Sequence, residues 1–334
     1  VTLLVACGDQ ATPERAATMP AVPFDSVFRL ADTLTPEQPD SAPIGLISGI
    51  DFAPDGSFVL ADVHSSQVRR YDAEGRLLGR MGRRGFGPGE FQMPMFPVID
   101  ARGRIHVLDL QQPRITVFDA DGTFLRTVST ARLASRVGDM EVLPDGDYLF
   151  VAWNSQRSDL LFRTDSLGSV RASYVPHAQL NPEGQPNDLI WTNVRNASLA
   201  VAGERAFVVT SLSDSLWTVS LRDGGLSAER ITPPGYVRPV APRENMHNPR
   251  AFSLWARSWT NATLVRADDE SAIVMFVRGI LMRGDTAVAA IQGPEGSWQG
   301  LTSAPIVLAT RGDALVALMD PNAETFRFAV YVRR

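Results

Sequence analysis

The 334-residue sequence contains no lysine, one cysteine and four histidines. Its basic residues are all arginine, which excludes Schiff-base chemistry and a lysine general base. The single cysteine, Cys7, excludes a disulfide within the chain and lies in an N-terminal stretch where no nucleophile is expected. The histidines are His64, His106, His177 and His247. No two of them lie at the close spacing of a zinc motif, so the sequence indicates no zinc site.

Other signals of catalysis and of membrane insertion are missing as well. The sequence has no G-x-S-x-G elbow, no P-loop and no Rossmann fingerprint. It has no run of about 18 apolar residues, so no membrane-spanning helix is predicted. A formal net charge of −5 gives no general attraction to phosphate backbones, and we expect no nucleic-acid partner. With 44% hydrophobic and 21% charged residues, the composition is that of an ordinary globular domain.

The N-terminus carries a short motif around the only cysteine. Residues 4–8 read LVACG and resemble a bacterial lipobox, in which the cysteine is lipidated. We therefore expect residues 1–7 to be part of a lipoprotein signal and Cys7 to carry a covalent lipid. Residues 8–24 are rich in Ala, Thr and Pro, which predicts a flexible tether. The alternative is that residues 1–7 form a simple apolar terminus.

Two stretches of the sequence repeat each other at a fixed displacement of 47 residues. The first begins at Gly49 and the second near Pro97. Four glycine and aspartate residues recur at this displacement: Gly56, Asp62, Asp72 and Gly75 correspond to Gly103, Asp109, Asp119 and Gly122. A period of about 40–50 residues is typical of propeller blades or solenoid arrays.

Each copy predicts a four-stranded antiparallel sheet. Short apolar runs alternate with Asp-Gly and Glu-Gly turns, which are strong hairpin signals. A sheet of this size cannot bury both faces alone, but radial stacking of copies buries them. We therefore predict an all-β chain over residues 25–334, folded as a six-bladed β-propeller. The last copy lacks its outer strand, and we expect residues 27–34 to supply it and close the ring.

The linker between the two clear copies carries a family resemblance. Residues 85–94 read GFGPGEFQMP and are followed by the unit at 98–118. Together they resemble an NHL repeat, in which a Gly-rich loop joins the outer strand of one blade to the inner strand of the next. Asp109, Arg114 and Asp119 occupy the matching positions of the repeat. The resemblance implies a β-propeller and is specific over about residues 49–130.

Beyond residue 130 the copies become less similar to the first two, and two segments interrupt them. Residues 175–195 and residues 231–261 are predicted to be long insertions. In the second, Phe252, Trp255 and Trp259 have the spacing of one aromatic helix face. This face is predicted either to cap the propeller with its rings buried or to bind a partner.

The inner strands of a propeller line its central channel, so acidic residues on them are the candidates for chemistry. Asp51 and Glu141 occupy the same repeat position, where the second copy has Val98. Two acids near the axis would bind a cation such as Ca²⁺ or act as acid and base. The alternative is that they are solvated residues of the channel wall. Asp62 and Asp109 recur, so we expect them to support turns.

The sequence leads to three functional hypotheses. The first is a non-catalytic interaction module without a metal, held on the periplasmic or cell-surface side by the lipid on Cys7. Its partner would be a protein at the membrane surface, for example a larger membrane complex that it stabilises. The second is a metal-dependent lactonase, esterase or lyase of the six-bladed type, for which two channel acids are too few ligands. The third is a sensor of glycans or peptides, which has no residue-level support.

Overall fold

The computed structural model describes residues 19–133, 136–153, 159–176, 197–210, 214–236, 260–267, 272–278, 287–293, 295–319 and 325–334. These residues form six sheets, each with four antiparallel strands that are adjacent in the chain except at ring closure, and one sheet has a fifth, parallel strand from the N-terminal segment. A six-bladed β-propeller is therefore confirmed. Within the described ranges, no helix has the length and apolar character needed to cross a membrane.

In every blade the first strand lies nearest the propeller axis and the fourth lies outermost. Blade 1 consists of β3 (Ile47–Phe52), β4 (Phe58–Asp62), β5 (Gln67–Tyr71) and β6 (Leu77–Met81). Blade 2 consists of β7 (Pro94–Ile99), β8 (Ile105–Asp109), β9 (Arg114–Phe118) and β10 (Phe124–Ser129). Blade 3 consists of β11 (Arg136–Val142), β12 (Tyr148–Trp153), β13 (Asp159–Thr164) and β14 (Val170–Pro176). Blade 4 consists of β15 (Ser198–Ala202), β16 (Arg205–Val209), β17 (Ser215–Ser220) and β18 (Leu226–Arg230). Blade 5 consists of β19 (Thr260–Ala267), β20 (Ala272–Arg278), β21 (Ala287–Gln292) and β22 (Trp298–Ala304). Blade 6 consists of β23 (Val307–Arg311), β24 (Ala314–Leu318), β25 (Phe328–Arg333) and, from the N-terminus, β2 (Phe28–Leu34). The strand β1 (Ala21–Pro23) and the short helix α1 (Phe24–Val27) precede β2.

Asp72 and Gly75, with their copies Asp119 and Gly122, form the turn between the third and fourth strands of blades 1 and 2. In blade 1 the Asp72 carboxylate accepts hydrogen bonds from the backbone N–H groups of Glu74 and Arg76. Gly75 follows with a φ of +86°, a conformation that costs glycine least. Asp119 and Gly122 repeat this arrangement in blade 2. The repeat in the sequence is therefore a repeat of turn geometry.

The N-terminal segment closes the ring, as the sequence predicts. Strand β2 pairs antiparallel with β25, from Phe28 opposite Arg333 to Leu34 opposite Phe328. The segment also reaches the neighbouring blade, because β1 pairs in parallel with β22. Residues 21–24 therefore belong to the folded domain, whereas the sequence pattern placed them in the tether. The short Ala-Val-Pro strand contains too few residues to show a strand pattern.

The core lies between the blades, where their apolar faces meet. The second strand of blade 1 is buried along its whole length, and so is that of blade 2. The largest apolar cluster joins blades 5, 6 and 1 and includes Phe24, Phe28 and Leu34 of the N-terminal segment. Burial of both sheet faces explains why the central strands read as continuous apolar runs.

The six inner strands surround the propeller axis. Each contacts the inner strand of the blade on either side, in the ring β3, β7, β11, β15, β19, β23 and back to β3. We call the end of the propeller at which these strands begin the inlet face. The first and third strands of a blade run in the same direction, so β9 also begins at the inlet face.

Candidate functional site

An axial channel is the candidate functional site. It encloses a cavity of about 480 Å³, lined by residues from the inner strands of all six blades. Such a volume lies within the range of about 300–1,000 Å³ that small-molecule sites occupy. The wall is partly apolar, with Phe52, Phe96 and Leu308, and partly charged.

Asp51 on β3 lines this channel and links blade 1 to blade 2. Its Oδ2 accepts a hydrogen bond of 2.7 Å from the backbone N–H of Ile99, and its Oδ1 accepts one of 2.9 Å from that of Phe52. Burial raises the pKa of Asp51 to about 6, although both hydrogen bonds and the charge of Arg266 lower it. The group therefore titrates near neutral pH, in the range useful for a general acid or base.

Asp139 on β11 is a second channel acid, which sequence reasoning missed. Its Oδ2 accepts hydrogen bonds from the hydroxyl of Ser198 (3.0 Å) and the backbone N–H of Leu199 (2.9 Å). It thus links blade 3 to blade 4, much as Asp51 links blade 1 to blade 2. Burial raises its pKa, against the lowering effect of the Arg266 charge. Asp139 aligns with Gly49 of the first copy, so no repeat marked it.

Glu141 also lies on β11 and lines the cavity. Unlike the two aspartates, its carboxylate takes no hydrogen bond from any residue that the structure describes. Its pKa is raised well above the ordinary value by burial first, and then by the charges of Asp51 and Asp139. Glu141 is thus a partly buried carboxyl group in the channel with no donor among the described residues, and burial disfavours its charged form.

Arg266 on β19 provides the positive charge on the channel wall, and sequence reasoning missed it as well. Its Nε donates to the carbonyl of Leu308 in blade 6, and its Nη1 donates to the hydroxyl of Ser198 in blade 4. Because Ser198 in turn donates to Asp139, a hydrogen-bonded chain runs from Arg266 to that carboxylate. Arg266 lies in the fifth copy, whose sequence is too unlike the first two copies for an alignment to mark this position.

Glu141 is expected to destabilise the folded chain at neutral pH. Because its pKa is higher in the folded than in the unfolded state, folded-state stability falls as the pH rises from about 4.5 towards that pKa. Glu141→Gln removes the titration, so this variant should be more stable than the wild type by about 1–3 kcal/mol at neutral pH. The difference should vanish near pH 4, where the wild-type carboxyl is protonated in both states.

Urea unfolding at both pH values measures this difference. The matched control is Glu229→Gln, which changes an exposed glutamate on β18 and should leave stability unchanged. A Glu141→Gln variant less stable than the wild type at neutral pH contradicts the expectation.

A metal centre is not preformed in the part of the chain that the structure describes. No group of three or more His, Cys, Asp or Glu side chains there has the arrangement needed to hold a metal ion. Asp51 and Glu141 both line the channel, but Val98 of blade 2 stands at the repeat position between them.

The repeated aspartates Asp62 and Asp109 are structural. Asp62 accepts hydrogen bonds from the backbone of Gly45, Leu46 and His64, and Asp109 accepts from the backbone of four residues. Each ties the segment entering its own blade to the turn that follows the second strand. This agrees with the expectation that recurring residues support the scaffold.

His106 is also satisfied within the sheet. Its Nδ1 lies 3.0 Å from the hydroxyl of Tyr148, and its Nε2 lies 3.2 Å from Oδ2 of Asp100. Burial lowers the pKa of His106 to about 4, although hydrogen bonding to Asp100 raises it. The ring is therefore neutral at physiological pH and joins blades 2 and 3.

The remaining sequence-based candidates lie outside the described residues. They are the lipidation candidate Cys7 and the aromatic face of Phe252, Trp255 and Trp259. The same holds for most of both predicted insertions, since residues 177–196 and 237–259 are not described. These predictions stay predictions.

Comparison with known proteins gives one family and several distant relatives. A family model described as 6-bladed beta-propeller matches residues 17–183, half of the chain. NHL repeat-containing protein 3 from Homo sapiens is 36% identical over 72 residues, 21% of each chain. The mouse protein is 32% identical over 113 residues, 33% of each chain. The matches therefore span a fifth to a third of the length of these relatives.

Solved structures share the fold at low sequence identity. A Bacteroides fragilis protein, described as a putative exported protein, has a TM-score of 0.68 and 14% identity, covering 95% of this chain and 98% of that chain. A streptogramin B lyase has a TM-score of 0.53 and 10% identity, covering 92% and 99%. A gluconolactonase from Xanthomonas campestris has a TM-score of 0.52 and 14% identity, covering 96% and 99%. At these identities the likeness concerns the fold alone.

Proposed function

Because the chain belongs to this family of six-bladed β-propellers, whose fold by itself fixes no activity, we propose a function from its surface. The chain acts as a non-catalytic interaction module outside the cytoplasmic membrane, anchored by a lipid on Cys7. It docks through its inlet face onto a protein at the membrane surface, as an extrinsic subunit that stabilises a larger complex. The observation that carries this proposal is an exposed phenylalanine in a tightly held loop.

Phe86 is 75% exposed, although phenylalanine is among the residues most often buried. It lies in the Gly-rich loop, residues 82–92, between β6 and β7. The loop lies at the inlet face, because Arg114 at the start of β9 donates to the carbonyl of Phe86. Two further exposed apolar residues lie at strand ends on this face, Leu46 before β3 and Met319 after β24.

The Gly-rich loop is held from several sides, so Phe86 is presented in a fixed position. Nη2 of Arg114 donates to the carbonyls of Gly87 and Glu90, each at 2.8 Å. The Glu90 carboxylate accepts from the backbone N–H of Gly87 and pairs with Arg83. Because the backbone that carries Phe86 is held in place, little backbone entropy is lost on binding, which favours a role as an interface anchor.

A protein partner fits this surface better than a lipid surface. The formal net charge of −5 opposes adsorption to anionic lipid, and one phenylalanine buries too little area to hold a domain on a bilayer. A lipid on Cys7 together with a docked face would supply the two attachments that stable anchoring requires.

Replacing Phe86 by alanine is expected to weaken the complex by about tenfold to a hundredfold, as loss of an aromatic anchor does. The full-length protein is recovered from mildly solubilised membranes, and its co-purifying partner is quantified and identified. The matched control is Leu167→Ala, because Leu167 is 76% exposed in the β13–β14 turn at the opposite end of its blade.

Loss of the partner from Phe86→Ala but not from Leu167→Ala supports docking through the inlet face. Recovery of monomer alone from wild-type membranes, or equal retention by both variants, contradicts the proposal. Circular dichroism and thermal melting of both variants show whether either substitution disturbs the fold.

A metal-dependent lactonase or lyase is the second candidate. The observation that favours it is the Asp51 carboxyl in the channel, which titrates near neutral pH. Asp51 and Glu141 would be the first two ligands or the acid–base pair. Calcium and zinc measured together in the purified protein separate the two functions, since one equivalent of metal that Asp51→Asn abolishes would favour the enzyme.

A further inference from the structure

We propose that the axial channel binds a small molecule with an apolar body and a primary ammonium group, with the ammonium between Asp51 and Glu141. This site is independent of docking at the inlet face. Its ligand class follows from three features: an uncompensated carboxyl group, the distribution of charge around it and the apolar part of the wall.

The first feature is that one carboxyl group in the cavity takes no hydrogen bond from the residues that the structure describes. Asp51 and Asp139 each accept backbone hydrogen bonds, but Glu141 accepts none from the described residues. The Glu141 side chain is partly buried, and burial is the main cause of its raised pKa. The accessible part of the side chain opens into the cavity. A cationic ligand that donates a hydrogen bond to Glu141 would replace the hydrogen bonds to water that burial removes.

The second feature is the distribution of charge around Glu141. Arg266 on β19 and Asp139 on β11 offset each other through Ser198. Asp51 on β3 and Glu141 form no ion pair with the residues that the structure describes, although the more distant charge of Arg266 acts on both. The cavity-lining residues of β7, β15 and β23 carry no charge. When both acids are ionised, they leave the site with an excess of two negative charges, which one positive charge from a ligand reduces to one.

The third feature is the apolar wall, which distinguishes an organic cation from a metal ion. Phe52, Phe96 and Leu308 line the same cavity of about 480 Å³. A hard cation such as Ca²⁺ takes about six to eight oxygen ligands, and the described residues form no group suited to a metal. An alkylammonium ion needs fewer acceptors, and its apolar body would cover the rest of the wall.

Binding is coupled to proton release. Burial and the neighbouring acids favour the protonated form of Glu141 in the empty channel. A bound ammonium favours the carboxylate, so Glu141 loses its proton as the ligand binds. Below the pKa of Glu141, affinity therefore rises by up to about tenfold per pH unit, and above that pKa it levels off.

Isothermal titration of the full-length chain with two matched probes tests the proposal. Cyclohexylmethylamine carries an ammonium with a pKa near ~10, and cyclohexylmethanol is its neutral counterpart. We expect the amine to bind at least about tenfold more tightly than the alcohol at neutral pH. We also expect the amine to release a proton, measured as a dependence of the binding heat on buffer ionisation.

Glu141→Gln should weaken amine binding by about tenfold or more and abolish proton release, while alcohol binding stays unchanged. Glu229→Gln, on the surface of blade 4, should change none of these quantities. The comparison of amine and alcohol on the wild type needs no variant, so it remains decisive if a channel substitution disturbs folding.

Equal affinity for the two probes overturns the proposal, as does binding of neither or amine binding without proton release. A channel that binds Ca²⁺ but not the amine also overturns it and supports the metal-dependent alternative. Docking to a membrane partner can succeed or fail regardless of these results, because it is measured by the effect of Phe86→Ala on co-purification of the partner.

Discussion

Replacing Phe28 by alanine is expected to lower the free energy of unfolding by about 3–5 kcal/mol, the usual cost of emptying a buried phenylalanine site. Phe28 is 2% exposed and stacks on Phe24 with ring centroids 4.9 Å apart. It lies in the cluster that joins blades 5, 6 and 1, so the cavity would open where the ring closes. Urea unfolding followed by circular dichroism measures the loss.

Leu30→Ala on the same strand is the matched control. Leu30 is 51% exposed, so its truncation should change stability by less than about 0.5 kcal/mol. Deleting residues 24–36 removes the closing strand altogether and leaves the edge of β25 unpaired. We expect that deletion to abolish cooperative unfolding of the domain. An unchanged thermal melting curve would contradict closure by this strand.

Asp62→Ala is the second substitution with a large expected effect, also about 3–5 kcal/mol. The Asp62 carboxylate and the Arg69 guanidinium are both fully buried, and they pair at 3.2 Å. Arg69 also donates to the carbonyls of Ala42 and Pro43, so the pair holds the segment that enters blade 1. Without Asp62, a buried positive charge and several backbone N–H groups lose their acceptor.

Asp121→Ala removes an exposed carboxylate from the β9–β10 turn and should cost less than about 0.5 kcal/mol. Asp62→Asn keeps the shape and some of the acceptors but not the charge, so its cost should fall between the two. If Asp62→Ala were as mild as Asp121→Ala, the buried pair would contribute nothing to the scaffold.

The fold was predictable from the sequence because its signals are local. Turn residues such as Gly56 and Asp72 recur at a fixed displacement, since each blade requires the same turn. The closing strand was predictable for a different reason, because an unpaired strand edge is unfavourable wherever it lies. The pairing of residues 21–23 with blade 5 was not predictable, since three residues carry no periodic pattern.

The channel was only partly predictable. The repeat places Asp51 and Glu141 at equivalent positions, and both line the cavity. Asp139 was missed because the first copy has Gly49 at the equivalent position, and Arg266 was missed because its copy no longer resembles the first two. Arg69 and Phe86 were missed for opposite reasons, since arginine usually lies at the surface and phenylalanine usually lies inside. Only the tertiary structure shows that Arg69 is buried and that Phe86 is exposed.

The closing strand β2 also determines when, during synthesis of the chain, the ring of blades can close. Arg334 donates to the carbonyl of Asp25, 309 positions away, and β2 pairs with β25, so β2 meets its partner only when residues 328–333 have been made. Contacts this distant in sequence form slowly, whereas the hairpins within each blade are local. A chain that stops before β25 leaves Phe28 and Leu34 without the strand opposite them. Ring closure therefore distinguishes chains that contain β25 from chains that stop before it, which would expose these apolar residues to proteases and to aggregation.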